Sequence, residues 1–188
     1  LEDGEIISVK KAITQLMYRM FLVKPEMISD AYNGEKFGTG VYYRLVYQSG
    51  KEEKRSEILL AFEERLLCRT IGEVVANKSG KLSAALIHNA RYAMQRFAGR
   101  VMKVFMKGES STLVEENLLS YDQFEKVFET RKRMASLLFD TGEGYFAYCI
   151  LTPDQVQDSV ATSINKENAL DEVARYVQKR EEEEAKAL

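Results

Sequence analysis

LSAALIHNARYAMQRFAGRVMKVFM, residues 82–106, is the stretch on which the fold is read. Leu86, Ala90, Ala93, Met94, Phe97, Val101, Val104 and Phe105 recur at the short intervals that place side chains on one face of an α-helix. Winding at about 3.6 residues per turn leaves His88, Arg91, Tyr92, Gln95, Gly99 and Lys103 roughly opposite. Burying Leu86, Met94, Phe97, Val101 and Phe105 contributes about 1.5–3 kcal/mol each before the entropy of ordering is subtracted. A long core helix is therefore expected.

Upstream, residues 6–21 repeat the pattern with Ile6, Val9, Ile13, Leu16, Met17, Met20 and Phe21. That helix stops before Pro25, because the residue preceding a proline is pushed out of the α region. Asn33-Gly34 and Gly38-Thr39-Gly40 punctuate a loop. Residues 41–47, VYYRLVY, are β-branched and aromatic, and residues 56–62 return as a second strand after a polar turn. Residues 63–75 place Leu66, Leu67, Ile71, Val74 and Val75 at helical spacing, and Asn77-Lys78-Ser79-Gly80 ends that run.

Downstream, residues 113–130 read two ways. Tyr121, Phe124, Val127 and Phe128 suit a helix, whereas Leu118-Leu119 suits the start of a strand. Residues 134–140 and 144–151 form a second hairpin around Thr141-Gly142-Glu143-Gly144, whose glycines supply the positive φ of a tight turn. Thr152-Pro153-Asp154 opens a further helix as cap, first-turn proline and acid. Leu170, Val173, Tyr176 and Val177 then make a short stripe, followed by the acidic run 181–184.

Helix followed by hairpin thus occurs twice, although the residues themselves do not repeat. The order predicts an α/β fold of the α+β kind: an antiparallel sheet with two long helices packed on one face. Residues 1–151 read as one α/β domain and residues 152–188 as a C-terminal helical extension.

Composition narrows the function classes. The chain has 188 residues, 45% of them apolar and 30% charged, with a net charge of −2. Its lysines and arginines are scattered along the sequence, so no nucleic-acid partner is expected. No apolar run approaches the ~20 residues that cross a bilayer, and the first residues lack the cationic and apolar blocks of a signal peptide. A cytoplasmic protein without a membrane partner is expected. Cys68 and Cys149 each sit in an apolar run and read as small buried hydrophobes. With one histidine and no CxxC, no metal site is expected.

The remaining motifs have plain structural readings. His88-Asn89 has no nucleophile in a recognisable relation to it, and residues 82–107 contain no acid. Gly38-Thr39-Gly40 is not followed by the lysine and helix of a phosphate-binding loop. Glu52-Glu53 and Glu63-Glu64 fall at turns or helix starts, where acids meet the helix dipole favourably. Tyr43 and Tyr47 share a strand face and read as core, as do Met17, Met20, Met94, Met102 and Met106.

Tyr92-Ala93-Met94-Gln95-Arg96-Phe97-Ala98-Gly99-Arg100, within the long helix, resembles the signature helix of the CheC/CheX/FliY chemotaxis phosphatase family. In that helix an acid-x-x-Asn motif precedes a turn of small residues ending in glycine. The hairpin around Thr141-Gly142-Glu143-Gly144 is similar to the family's final hairpin, and the order of elements agrees over residues 6–151. The resemblance implies a CheX-like fold, often dimeric. It also implies a receiver-domain response regulator as partner, whose aspartyl-phosphate these proteins hydrolyse. The asparagine orients water and the acid reaches a lysine of the regulator, which brings its own metal ion, so no cofactor is implied for this chain.

By position the acid corresponds to Tyr92 and the asparagine to Gln95. A tyrosine supplies no carboxylate. A glutamine orients water as an asparagine does, but its extra methylene carries the amide outward. Asp30-Ala31-Tyr32-Asn33 has the motif's spacing, yet it lies in a loop where that spacing does not guarantee a shared face. The resemblance thus implies a bacterial, homodimeric signalling domain that binds its partner through Arg91, Tyr92, Gln95 and Gly99, with catalysis lost. Two alternatives stand beside it: an active phosphatase using Gln95 as its catalytic residue, and a non-enzymatic adaptor acting through the acidic C-terminal helix.

Overall fold

The computed structural model describes residues 3–49, 55–74 and 81–152, together with residues 175 and 178. The chain runs α1 (Asp3–Phe21), β1 (Glu26–Ser29), β2 (Gly40–Ser49), β3 (Arg55–Glu63), α2 (Glu64–Val74), α3 (Ala84–Phe105), β4 (Ser111–Leu119), α4 (Tyr121–Thr130), β5 (Arg133–Asp140) and β6 (Tyr145–Leu151). The six strands form one antiparallel sheet in the order β1-β5-β6-β3-β2-β4.

Alternation along the strands sends side chains to two separate cores. Tyr43, Leu45 and Tyr47 of β2, Leu60 and Phe62 of β3, and Phe146 and Tyr148 of β6 face the helices α1 and α3. The opposite face presents Tyr42, Leu59, Ala61, Ala147 and Cys149 to α4 and to Tyr32 and Phe37 of the β1–β2 connection. The two expected long helices therefore share one face, and α4 with that connection forms a smaller layer behind it. Phe97 of α3 joins the first core together: its ring lies 6.0 Å from Phe21 of α1 and 6.3 and 6.1 Å from Phe146 and Tyr148 of β6.

Local chemistry explains the element ends. Ser83, in extended conformation, caps α3 by accepting from Leu86 N at 3.2 Å. Ser120 and Gln123 form a reciprocal capping box at the start of α4. Behind the sheet, Gly34 sits at φ +85°, and a Cβ there would stand 2.6 Å from Phe128 Cδ1. Only glycine fits that approach. Gly142 and Gly144 take the positive φ expected of the second hairpin turn.

The two helix–hairpin halves are interleaved more deeply than the sequence suggests. Exchanging β1 with β4, β2 with β5 and β3 with β6 reads the strand order backwards, so the sheet has an approximate two-fold between β3 and β6. Each half also owns one further strand, and that strand pairs with the hairpin of the other half: β1 with β5, β4 with β2. β1 is absent from the sequence reading because it has only four residues and a bulge near Ile28. The ambiguous residues 113–130 are both things in turn, strand then helix, divided at Ser120. The expected C-terminal helices, 152–188, lie outside the described residues apart from Thr152, Arg175 and Gln178.

Phe97→Ala removes the ring shared by α1, α3 and β6, so unfolding should be easier by about 3–5 kcal/mol. Tyr92→Ala, at an exposed position of the same helix, should stay within about 0.5 kcal/mol. Urea denaturation of both variants checks this; equal losses would mean that the core has been misplaced.

Candidate functional site

The long helix α3 has three sides. Leu86, Ala90, Met94, Phe97 and Val101 enter the core. A second side leans over the edge strand β4, and a third faces solvent. The arc opposite the core stripe is divided between the last two, because successive residues turn by about 100°.

β4 pairs with β2 in a register that sets Glu116 opposite Leu45, whose side chain lies under the helices. Glu116 consequently points inward from an edge strand, and its side chain is only 3% exposed. A carboxylate so placed needs donors. Arg91 Nε supplies one to Oε1 at 2.6 Å. The Gln95 side-chain amide donates to Oε2. One turn further, Gly99 lies over the ring of Tyr47, where a Cβ would stand 3.4 Å away in ordinary van der Waals contact. Tyr47 donates its hydroxyl to the carbonyl oxygen of Gln95 at 3.0 Å. Burial, reinforced by the Glu116 charge, pushes the Tyr47 phenol above its ordinary range and keeps it a donor.

Tyr92 stands apart. It is 54% exposed and packs edge-on against His88, with ring centroids 5.1 Å apart. His88 Nδ1 is buried without a hydrogen-bond partner. Asn89, Arg96, Arg100 and Lys103 are exposed along the same helix.

Arg91 and Gln95 are thus brought together against β4 and Gly99 lies over Tyr47 of β2, while Tyr92 looks outward. The sequence reading missed Glu116 and Tyr47, the two residues that organise the cluster. Tyr47 was read as core, which it is. Glu116 lay in the stretch whose structure read two ways, and without a strand register its direction could not be assigned.

Asp30, Ala31, Tyr32 and Asn33 do not form a second site of this kind. Tyr32 is buried behind the sheet and Ala31 bridges to Ser136. Cys149 is fully buried, and burial pushes its thiol up to about 12. Among the described residues, no three His, Cys, Asp or Glu side chains converge as a metal set. No helix among them is long and apolar enough to cross a membrane.

Two helices on one face of an antiparallel sheet, with edge strands exchanged between two half-repeats, define the architecture. Solved structures identify it as CheX-like. The chemotaxis protein CheX from Vibrio vulnificus superposes with a TM-score of 0.58 at 8% identity, over 80% of this chain and 97% of that chain. A CheC-like superfamily protein from Shewanella sp. PV-4 gives 0.54 at 12% identity, covering 80% and 98%. A chain of the CheX–CheY–BeF3–Mg2+ complex from Borrelia burgdorferi gives 0.53 at 9% identity, covering 78% and 96%. No family model matches the sequence, and no curated protein sequence matches it.

The Glu116 cluster should behave as one unit. Glu116→Ala leaves the mostly buried Arg91 without its partner and should cost about 3 kcal/mol. Arg91→Ala and the double variant complete a cycle with an expected coupling of about 1–3 kcal/mol. Chemical denaturation measures it, and simple additivity would show that the two side chains do not interact.

Proposed function

We propose that this chain is a signalling domain that binds a receiver-domain response regulator through the outer side of α3 and does not dephosphorylate it. One observation carries the catalytic half of this reading: the Gln95 side-chain amide is bound to Glu116. Aspartyl-phosphate hydrolysis asks little of a helper protein beyond a positioned water. A positioning amide has to project into the partner's site. In this chain it leans toward β4, and the neighbouring outward position holds Tyr92, which offers no carboxylate to a lysine.

The binding half is supported by the CheX-like backbone and by the complex of a similar fold with CheY, carrying BeF3 and Mg2+. The outward residues of α3, Tyr92 and Arg96 foremost, are those free to meet such a partner. Arg91, Gln95 and Gly99 then serve by holding α3 at its height above the sheet. A cytoplasmic location follows from such a partner.

The test uses a receiver domain in two forms. Loaded with BeF3, it should be captured by the full chain; absence of capture overturns the binding reading. Phosphorylated, it should lose phosphate no faster with wild type than alone, and acceleration of about tenfold or more would restore the phosphatase. Tyr92→Glu with Gln95→Asn supplies the acid and shortens the amide away from Glu116, so hydrolysis should then rise. A folded but inert double variant would remove α3 as the catalytic position.

A further inference from the structure

The cations of this chain are dispersed in sequence, yet the fold gathers five of them on one surface. α1 and α3 lie side by side and antiparallel. Lys107, just beyond the end of α3, reaches Glu5 near the start of α1 at 3.1 Å, and Phe21 at the far end of α1 meets Phe97. Lys11 and Arg19 of α1 and Arg96, Arg100 and Lys103 of α3 are all exposed. None of the five has an ion-pair partner among the described residues. Neither helix exposes a described acidic side chain.

Several other arginines among the described residues are neutralised. Arg44 and Arg131 share Glu57, Arg44 and Arg55 share Glu115, and Arg91 holds Glu116. Across the sheet α4 mixes its exposed charges, with Asp122, Glu125 and Glu129 beside Lys126. The α1–α3 face is therefore basic in a chain whose net charge is only −2. Like charges left together repel one another, and no acid among the described residues pairs with these five.

Exposed apolar groups share the two helices with these cations, Tyr18 and Tyr92 with Ile7 and Val104, and Leu22 stands just past the end of α1. Leu22 holds a left-handed backbone, φ 57°, and is 82% exposed. Tyrosine and arginine together are the residue types enriched in protein–protein contacts. Duplex nucleic acid is a poorer fit, since it is held through about 6–10 neutralised phosphates and a net negative chain would be repelled at long range. A lipid surface needs a continuous apolar stripe to insert, whereas these apolar side chains stand among the cations.

We propose that the outer face of the α1–α3 pair docks an acidic protein surface, with Arg96, Arg100 and Lys103 making the ionic contacts and Tyr92 the apolar one. This deepens the receiver-binding reading and rests on it for the partner's identity. A receiver carrying an aspartyl-phosphate presents an anionic target, and the basic face supplies attraction in place of the missing acid–lysine contact.

The experiment titrates the full chain against a BeF3-loaded receiver domain at low and high salt. Binding should weaken with salt and fall about tenfold or more in Arg96→Glu/Arg100→Glu, less in Arg96→Ala/Arg100→Ala, and not at all in Lys126→Glu on α4. Receiver binding indifferent to the α3 substitutions overturns the basic-face inference and leaves the receiver reading standing. If wild type does not bind the receiver, poly-L-glutamate decides: capture abolished by the reversal supports an acidic protein partner, and no capture overturns it. A 20-base-pair duplex bound more tightly than poly-L-glutamate at the same salt overturns it in favour of nucleic acid.

Discussion

The ladder between β3 and β6 is buried from both sides, and the remaining elements take their places from that fact. A strand pair enclosed on both faces needs two covering layers. The sheet meets this demand with side chains of unequal size. Phe62, Phe146 and Tyr148 project toward the long helices, and Ala61, Ala147 and Cys149 project the other way. Large aromatics hold α1 and α3 at a distance that leaves room for Phe97. Behind them, the small residues lie under Tyr32 and Phe37 of the β1–β2 connection, and the short α4 packs beside these on β2 and β4. Tyr47 and Tyr148 then fasten α3 from below, each donating a hydroxyl to a helix carbonyl.

This arrangement explains which parts of the fold were legible in the residues. α1, α3 and the hairpins β2–β3 and β5–β6 carry their own periodicity and turn chemistry, so short-range rules suffice for them. β1 and β4 owe their existence to partners far away in the chain. A four-residue strand after Pro25 has no periodicity to read. Leu113 to Leu119 alternates only once its pairing with β2 is known. The long-range pairings themselves, β1 with β5 and β4 with β2, have no local signature at all.

The candidate site shows the same division at the level of single side chains. The helical wheel correctly took Arg91, Tyr92, Gln95 and Gly99 off the core stripe. It could not say that β4 runs along one flank of the helix, so it could not separate Tyr92, which faces solvent, from Arg91 and Gln95, which lean on Glu116. An edge strand with an inward carboxylate also discourages addition of another strand there, which gives Glu116 a second physical reason to be where it is. The basic surface of α1 and α3 was invisible for a related reason: residues eighty or so positions apart become neighbours only through helix packing.

The exchange of edge strands between the halves has a consequence for how the protein is made. β1 leaves the ribosome early but pairs only with β5, whose residues are among the last of the described fold to be synthesised. Until then β1 has no strand beside it, although α1 can already pack on α3. The sheet is complete only once both halves are present, because each half supplies an edge strand to the other. During synthesis β1 therefore carries an unpaired strand edge until nearly all of the described fold has been translated.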